Sequence, residues 1–128
     1  MKKLTGILAI AVIALVYTLP SCKKTENKAP VIVLDEPADG ETIAITDSLH
    51  IEGTASDDDD ELHEMSILIT SHMGDTVFAQ YPTVHAMKTY TFHYHFHPAD
   101  TGMFHLHVAA EDHEDGLTTK EVMFNVTP

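Results

Sequence analysis

Three observations predict an all-β fold for this chain, a two-layer antiparallel sandwich of seven short strands. Apolar and polar residues alternate with a period near two through most of residues 30–128. Turn-forming residues break that alternation about every ten positions. No stretch carries the 3.6-residue period of an amphipathic helix, and no segment repeats.

The elements follow in order. VIVL (31–34) is a first strand and EPADGE (36–41) a turn. SLHIEGTA (48–55) sets Leu49, Ile51, Gly53 and Ala55 against His50, Glu52 and Thr54. The acidic run SDDDDE is a loop, MSILITS (65–71) the third strand, SHMGD a turn, and TVFAQY (76–81) the fourth strand. TYTFHYHF (89–96), MFHLHVAA (103–110) and EVMFNV (121–126) complete seven. Seven such strands in about a hundred residues suit an immunoglobulin-like sandwich. Its core is written in parity: Tyr90, Phe92, Tyr94 and Phe96 share one side, as do Phe104, Leu106, Val108 and Ala110, and Val122, Phe124 and Val126. The opposite sides are polar, as half-solvated sheets require. A slip of one residue would bury five imidazoles, so register is strongly set.

The N-terminus reads differently. Lys2 and Lys3 precede an apolar run from Leu4 to Leu19 that is shorter than the roughly 20 residues a bilayer span needs. A secretory leader over residues 1–21 is expected. Its end, LPSC, resembles a bacterial lipoprotein processing box, which implies that Cys22 becomes the lipid-modified first residue of the mature chain. Multiple acyl chains on that cysteine would hold the protein stably on a membrane. KKTENKAP (23–30) is polar and aperiodic and ends in proline, so 22–29 reads as the lipidated cysteine and a flexible tether. The domain proper then occupies 30–128.

Cys22 is the one cysteine, so core burial alone must hold the fold, and the 106 residues after it are one domain's worth of chain. The 20 acidic residues all follow the leader, against five lysines and no arginine, which leaves a mature charge of −15 with histidine neutral. Such a surface repels phosphate backbones and attracts cations, which argues against nucleic acid as a partner.

GMFHLHVAAEDHEDG (102–116) resembles the penultimate strand of bacterial Ig-like domains, where Gly-x-Tyr-x-Leu-x-Val precedes Ala-x-Asp and Gly. Phe104 stands at the tyrosine position. More narrowly, the processing box, the tether, PADGE and HPADTGMFH are similar to a family of small Bacteroidota lipoproteins of unknown function. The resemblance implies a fold and an envelope location, most simply the outer membrane, and carries no activity with it.

Chemistry concentrates in histidine. Residues i and i+2 of a strand point the same way about 7 Å apart, so two imidazoles at that spacing can converge on one ion about 2.0–2.1 Å from each nitrogen. The H-x-H spacing occurs at 93/95, 95/97 and 105/107. The bland alternative is that a polar, β-tolerant ring merely fills exposed strand positions. Three overlapping pairs together with His50 favour a metal site. In an immunoglobulin-like topology strands 90–96 and 103–110 lie in opposite sheets, with HPADTG crossing between them. Two patches are therefore expected. One holds His93, His95 and His97 beside His50 and Glu52, with His97, next to Pro98, able to turn away. The other holds His105 and His107 beside Glu64, Glu121 and Met123. Imidazole and carboxylate without thiolate suit Zn²⁺, Cu²⁺ or Ni²⁺; raw affinity favours Cu²⁺, availability Zn²⁺.

The acidic runs DDDDE (57–61) and EDHED (111–115) fall at one end of such a sandwich and offer Asp57, Asp59, Asp60, Asp112 and Asp115 as oxygen ligands for Ca²⁺. They do not form an EF-hand loop, because its glycine and final glutamate positions hold Leu62 and Leu68. His63, His72, His85 and His113 fall in predicted loops or strand ends and read as solvent-exposed loop residues. No nucleophile motif, phosphate-binding glycine loop or paired catalytic carboxylate is present, so the expected role is non-catalytic. Two roles compete: a lipid-anchored envelope protein that binds Zn or Cu, and a metal-independent partner-binding module, for example an accessory of an outer-membrane transporter, with histidines that are incidental or respond to pH.

Overall fold

A computed structural model describes residues 26–128. The leader over 1–21 and Cys22 lie outside the described residues. Eight strands run in order: β1 (Val31–Glu36), β2 (Glu41–Ala44), β3 (Leu49–Ser56), β4 (Leu62–Ser71), β5 (Thr76–Gln80), β6 (Thr89–Phe96), β7 (Gly102–Asp112) and β8 (Leu117–Thr127). They form a β-sandwich. One sheet has the order β1-β3-β6, the other β2-β8-β7-β4-β5.

Two details differ from the sequence-based expectation. There are eight strands rather than seven, and the pairing is not wholly antiparallel, because β2 runs parallel to β8 from Glu41↔Phe124 to Ala44↔Thr127. The extra strand follows the 37–40 turn, which carries the chain from one sheet to the other. That turn is pinned to β8: Gly40 (φ +80°) donates its N–H to the Met123 carbonyl, and the Met123 N–H returns to Asp39 Oδ1. Four residues without alternating burial leave no period to detect.

The core follows the parity of the sequence. Leu49, Ile51 and Ala55 of β3 and Phe92 and Phe96 of β6 are buried from one sheet. Ile67 and Ile69 of β4, Phe104, Leu106, Val108 and Ala110 of β7, and Val122, Phe124 and Val126 of β8 are buried from the other. Phe96 joins the layers, its ring centroid 6.0 Å from Phe104 and 6.2 Å from Phe124, while Phe104 and Phe124 stack at 5.5 Å. Gly53 is required here, since a Cβ would collide with the Val33 carbonyl and with the Phe92 ring. Tyr90 and Tyr94 sit half-buried at the margin, hydroxyl to hydroxyl at 3.3 Å. Burial pushes the Tyr94 phenol up to about 12, and the hydrogen bond and charge of Tyr90 add to the shift.

The described part of the tether is docked rather than free. Asn27 Nδ2 donates to Asp112 Oδ2 at 2.7 Å, and the Lys28 N–H donates to Asp59 Oδ2 at 3.0 Å. The Thr118 hydroxyl donates to the Pro30 carbonyl.

Candidate metal centre

β6 and β7 lie in opposite sheets, so the HPADTG link crosses the sandwich as the topology argument required. The histidines therefore divide between two outer faces. On the first, register decides the neighbours: His50↔His95 and Glu52↔His93 are directly paired across β3 and β6. Directly opposed residues of an antiparallel pair share a face and are close enough to touch.

The rings converge. The His50 and His95 centroids are 4.5 Å apart, His93 and His95 4.8 Å, and His50 and His93 6.0 Å. One nitrogen from each of the three lies within 4.8 Å of the other two. The His93 and His95 Nε2 atoms are 2.9 Å apart. Two nitrogens bound about 2.0–2.1 Å from one ion are separated by roughly 2.8–3.4 Å for bond angles between 90° and tetrahedral, so this pair already spans a ligand edge.

Glu52 supplies the outer support. Its Oε1 is 2.8 Å from His93 Nδ1 and 3.8 Å from His50 Nδ1. A carboxylate that accepts the Nδ1–H of an imidazole fixes its tautomer and leaves Nε2 bare as a donor. Glu36, paired with Glu52 across β1 and β3, offers a further oxygen near His50. All three imidazoles are exposed, so an ion can enter from solvent.

His97 does not join them. It lies one residue past the end of β6, before buried Pro98, and lines a separate cleft of about 470 Å³ with His72, Asp75 and Phe104.

The second expected patch is built differently. His105 and His107 stack with centroids 6.1 Å apart. Their Nδ1 atoms lie 3.1 and 3.2 Å from the two oxygens of Glu121. His107 Nε2 also meets Thr70 Oγ1 at 3.3 Å. Met123 is opposite His105, as expected, but Glu64 is not a neighbour: it pairs with Glu111, further along the sheet. Among the described residues, His105 and His107 are not part of any trio of converging donors.

The five aspartates expected to hold Ca²⁺ are mostly occupied in shaping loops. Asp57, buried, accepts the N–H groups of Asp59 and Asp60 on Oδ1. Asp112, also buried, accepts the Glu114 and Gly116 N–H groups on Oδ1 and Asn27 on Oδ2. Burial alone would raise the Asp112 carboxyl. The bonds from Asn27, Gly116 and Glu114, with nearby His113, outweigh it and hold the group below the usual carboxylate range. Asp59 receives Lys28, and Asp115 takes a left-handed conformation in the hairpin turn. No three of these carboxylates present oxygens close enough to surround one ion. Asp57 Oδ2 and Asp60 Oδ2 are buried without a hydrogen-bond partner.

Sequence reasoning missed one cluster. His63, His85 and His113, expected as separate exposed loop residues, meet at one end of the sandwich with a donor nitrogen from each within 4.8 Å of the others. They are 22 and 28 residues apart in order, so no strand spacing announces them. The nearest signal was that His63 lies two residues after the acidic run 57–61 and His113 within the run 111–115, which were expected at the same end; nothing in the sequence brought His85 to them.

Comparison with known proteins bears on the fold alone. No protein-family model matches the chain, and neither does any curated protein. Among solved structures, the fibronectin(III)-like modules of Clostridium thermocellum CbhA are 21% identical at a TM-score of 0.55, over 78% of this chain and 47% of theirs. The chain thus spans about half of that structure. CopC from Methylosinus trichosporium is 13% identical at 0.48, over 77% of this chain and 95% of its own. The CARDB domain of a Pyrococcus furiosus protein, solved in complex with di-metal ions, is 11% identical at 0.48, over 80% of this chain and 93% of its own. The first likeness supports the β-sandwich, and no ligand is inferred from any of them.

Proposed function

We propose that this chain is a non-catalytic, lipid-anchored envelope protein that binds a transition-metal ion, Zn²⁺ or Cu²⁺, through His50, His93 and His95. One observation carries the proposal: three imidazole nitrogens from β3 and β6 converge on an exposed face with Glu52 behind His93. The donor set is imidazole with carboxylate and holds no thiolate, which selects borderline ions over soft ones. Strands rather than loops hold the ligands, so little ordering remains to be done on binding. The strong negative charge of the mature chain draws cations to it.

The anchor belongs to the same proposal. Lipid on Cys22 would keep the site at a membrane surface, most simply that of the outer membrane, where a scavenging, buffering or delivery role for the ion fits an exposed site.

Calorimetric titration of the chain, purified without a polyhistidine tag, with Zn²⁺ and then Cu²⁺ tests it. The His50→Ala, His93→Ala, His95→Ala variant should take up one ion fewer per chain. Equal uptake by both proteins removes the metal role at this face and favours the metal-independent, partner-binding alternative.

A further inference from the structure

We propose that His63, His85 and His113 form a second transition-metal site, one that clamps three chain segments together at the end of the sandwich. The segments are remote in sequence, and each is pinned by its own backbone. His63 falls between Leu62↔Asp112 and Glu64↔Glu111, where the β4–β7 register shifts, so it is the extra residue of a bulge. A bulge turns a side chain away from the regular alternation of its strand. His85 sits in a tight turn closed by the Met87 N–H on the Val84 carbonyl at 2.9 Å. That turn is held to the same point of β4, with Leu62 N–H on Met87 O at 2.7 Å and Ala86 N–H on Leu62 O at 3.2 Å. His113 opens the β7–β8 hairpin turn, which Asp112 caps from within.

These anchors bring the rings to centroid distances of 4.7, 4.8 and 5.5 Å. His63 Nδ1 and His85 Nδ1 are 3.4 Å apart, the edge roughly expected for two nitrogens on a tetrahedral ion with bonds of about 2.0–2.1 Å. His113 Nδ1 lies 3.1 Å from the Glu61 carbonyl. Donation to that oxygen fixes the tautomer and frees Nε2, the outer-shell support usual for a ligating imidazole.

Packing does not require the cluster. All three side chains are exposed, and any polar residue would suit a solvated turn. Three imidazoles turned toward one another repel once protonated, whereas one cation satisfies all three. Glu64 and Glu114 follow two of them in sequence and add negative charge nearby. Nitrogen donors without thiolate take Zn²⁺, Ni²⁺ or Cu²⁺, and three protein ligands leave a fourth position for water. This site shares no residue with the His50–His93–His95 face and stands without it.

The test uses the chain carrying His50→Ala, His93→Ala and His95→Ala, so that the first site contributes nothing, with Zn²⁺ as the probe. Calorimetry should still show one ion bound, and Zn²⁺ should raise the unfolding midpoint, since an ion that binds only the folded chain stabilises it. Adding His63→Ala, His85→Ala and His113→Ala should abolish both effects while circular dichroism in chelator shows the same strand content. Single replacement of His85, on a surface turn, gives a milder variant that should also lose the ion. No Zn²⁺ uptake by the first-site variant overturns the proposal. So does uptake that persists with all six histidines replaced. Neither result touches the first site, which the unmodified chain reports.

Discussion

Glu52 reaches across the β3–β6 pair to within 2.8 Å of His93 Nδ1, and the Nε2 atom of the same ring lies 2.9 Å from that of His95. A carboxylate behind a histidine whose free nitrogen faces other imidazoles is the arrangement of a supported metal ligand. Glu52→Gln keeps size and hydrogen bonding but removes the charge that favours His93 as a donor. It should weaken Zn²⁺ binding at this face by about 10–100-fold and leave the unfolding midpoint in chelator unchanged. Isothermal titration measures the first, and thermal melts in chelator check the second.

His105 and His107 should behave differently. Both turn Nδ1 to Glu121, whose carboxylate they share, and among the described residues they belong to no trio of mutually converging donors. The His105→Ala, His107→Ala double variant should keep the metal stoichiometry of the unmodified chain. These exposed and half-exposed imidazole–carboxylate contacts contribute only about 0–1 kcal/mol, so its melting temperature should shift little.

Asp112 carries a structural load that the sequence presented as a metal ligand. Asp112→Ala leaves the Glu114 and Gly116 N–H groups and Asn27 without their acceptor and should cost about 3 kcal/mol, measured by urea unfolding in chelator. The carboxyl is held below its ordinary value of 3.8. Ionised Asp112 therefore favours the folded chain: its contribution is present in full above about pH 4 and is lost as the pH falls through the folded value. The Ala variant should lose less stability than the parent over that acid range.

At the other end of the pH scale, Tyr94 is pushed up to about 12 from 10.0, with burial the main cause and Tyr90 adding to it. Its neutral form is favoured in the fold, so that contribution is present below pH 10 and disappears as the pH rises toward 12. Ultraviolet titration of tyrosinate should show one phenol ionising late, and Tyr94→Phe should remove that late step.

How far the sequence could be followed depends on what carried each signal. Period-two alternation identified the buried faces of β3, β6, β7 and β8, because burial there is imposed residue by residue. The assignment of β6 and β7 to opposite sheets placed His50 and Glu52 beside His93 and His95, since antiparallel register turns strand order into contacts. β2 was illegible: it is four residues long and pairs in parallel with a strand some eighty positions away. The His63–His85–His113 cluster was illegible for a related reason. It depends on a bulge, a turn and a hairpin whose closeness follows from tertiary hydrogen bonds at Leu62 and Asp112, and neither period nor spacing records those.

His50, His93 and His95 are proposed to ligate one ion together. X-ray absorption at the zinc edge, on the Zn²⁺-loaded chain with His63, His85 and His113 replaced by alanine, tests it most directly. Ligation by these three residues gives a first shell of imidazole nitrogens at about 2.0–2.1 Å, lost when His50, His93 and His95 are also replaced. A shell of oxygen alone, or one unchanged by that replacement, would contradict it.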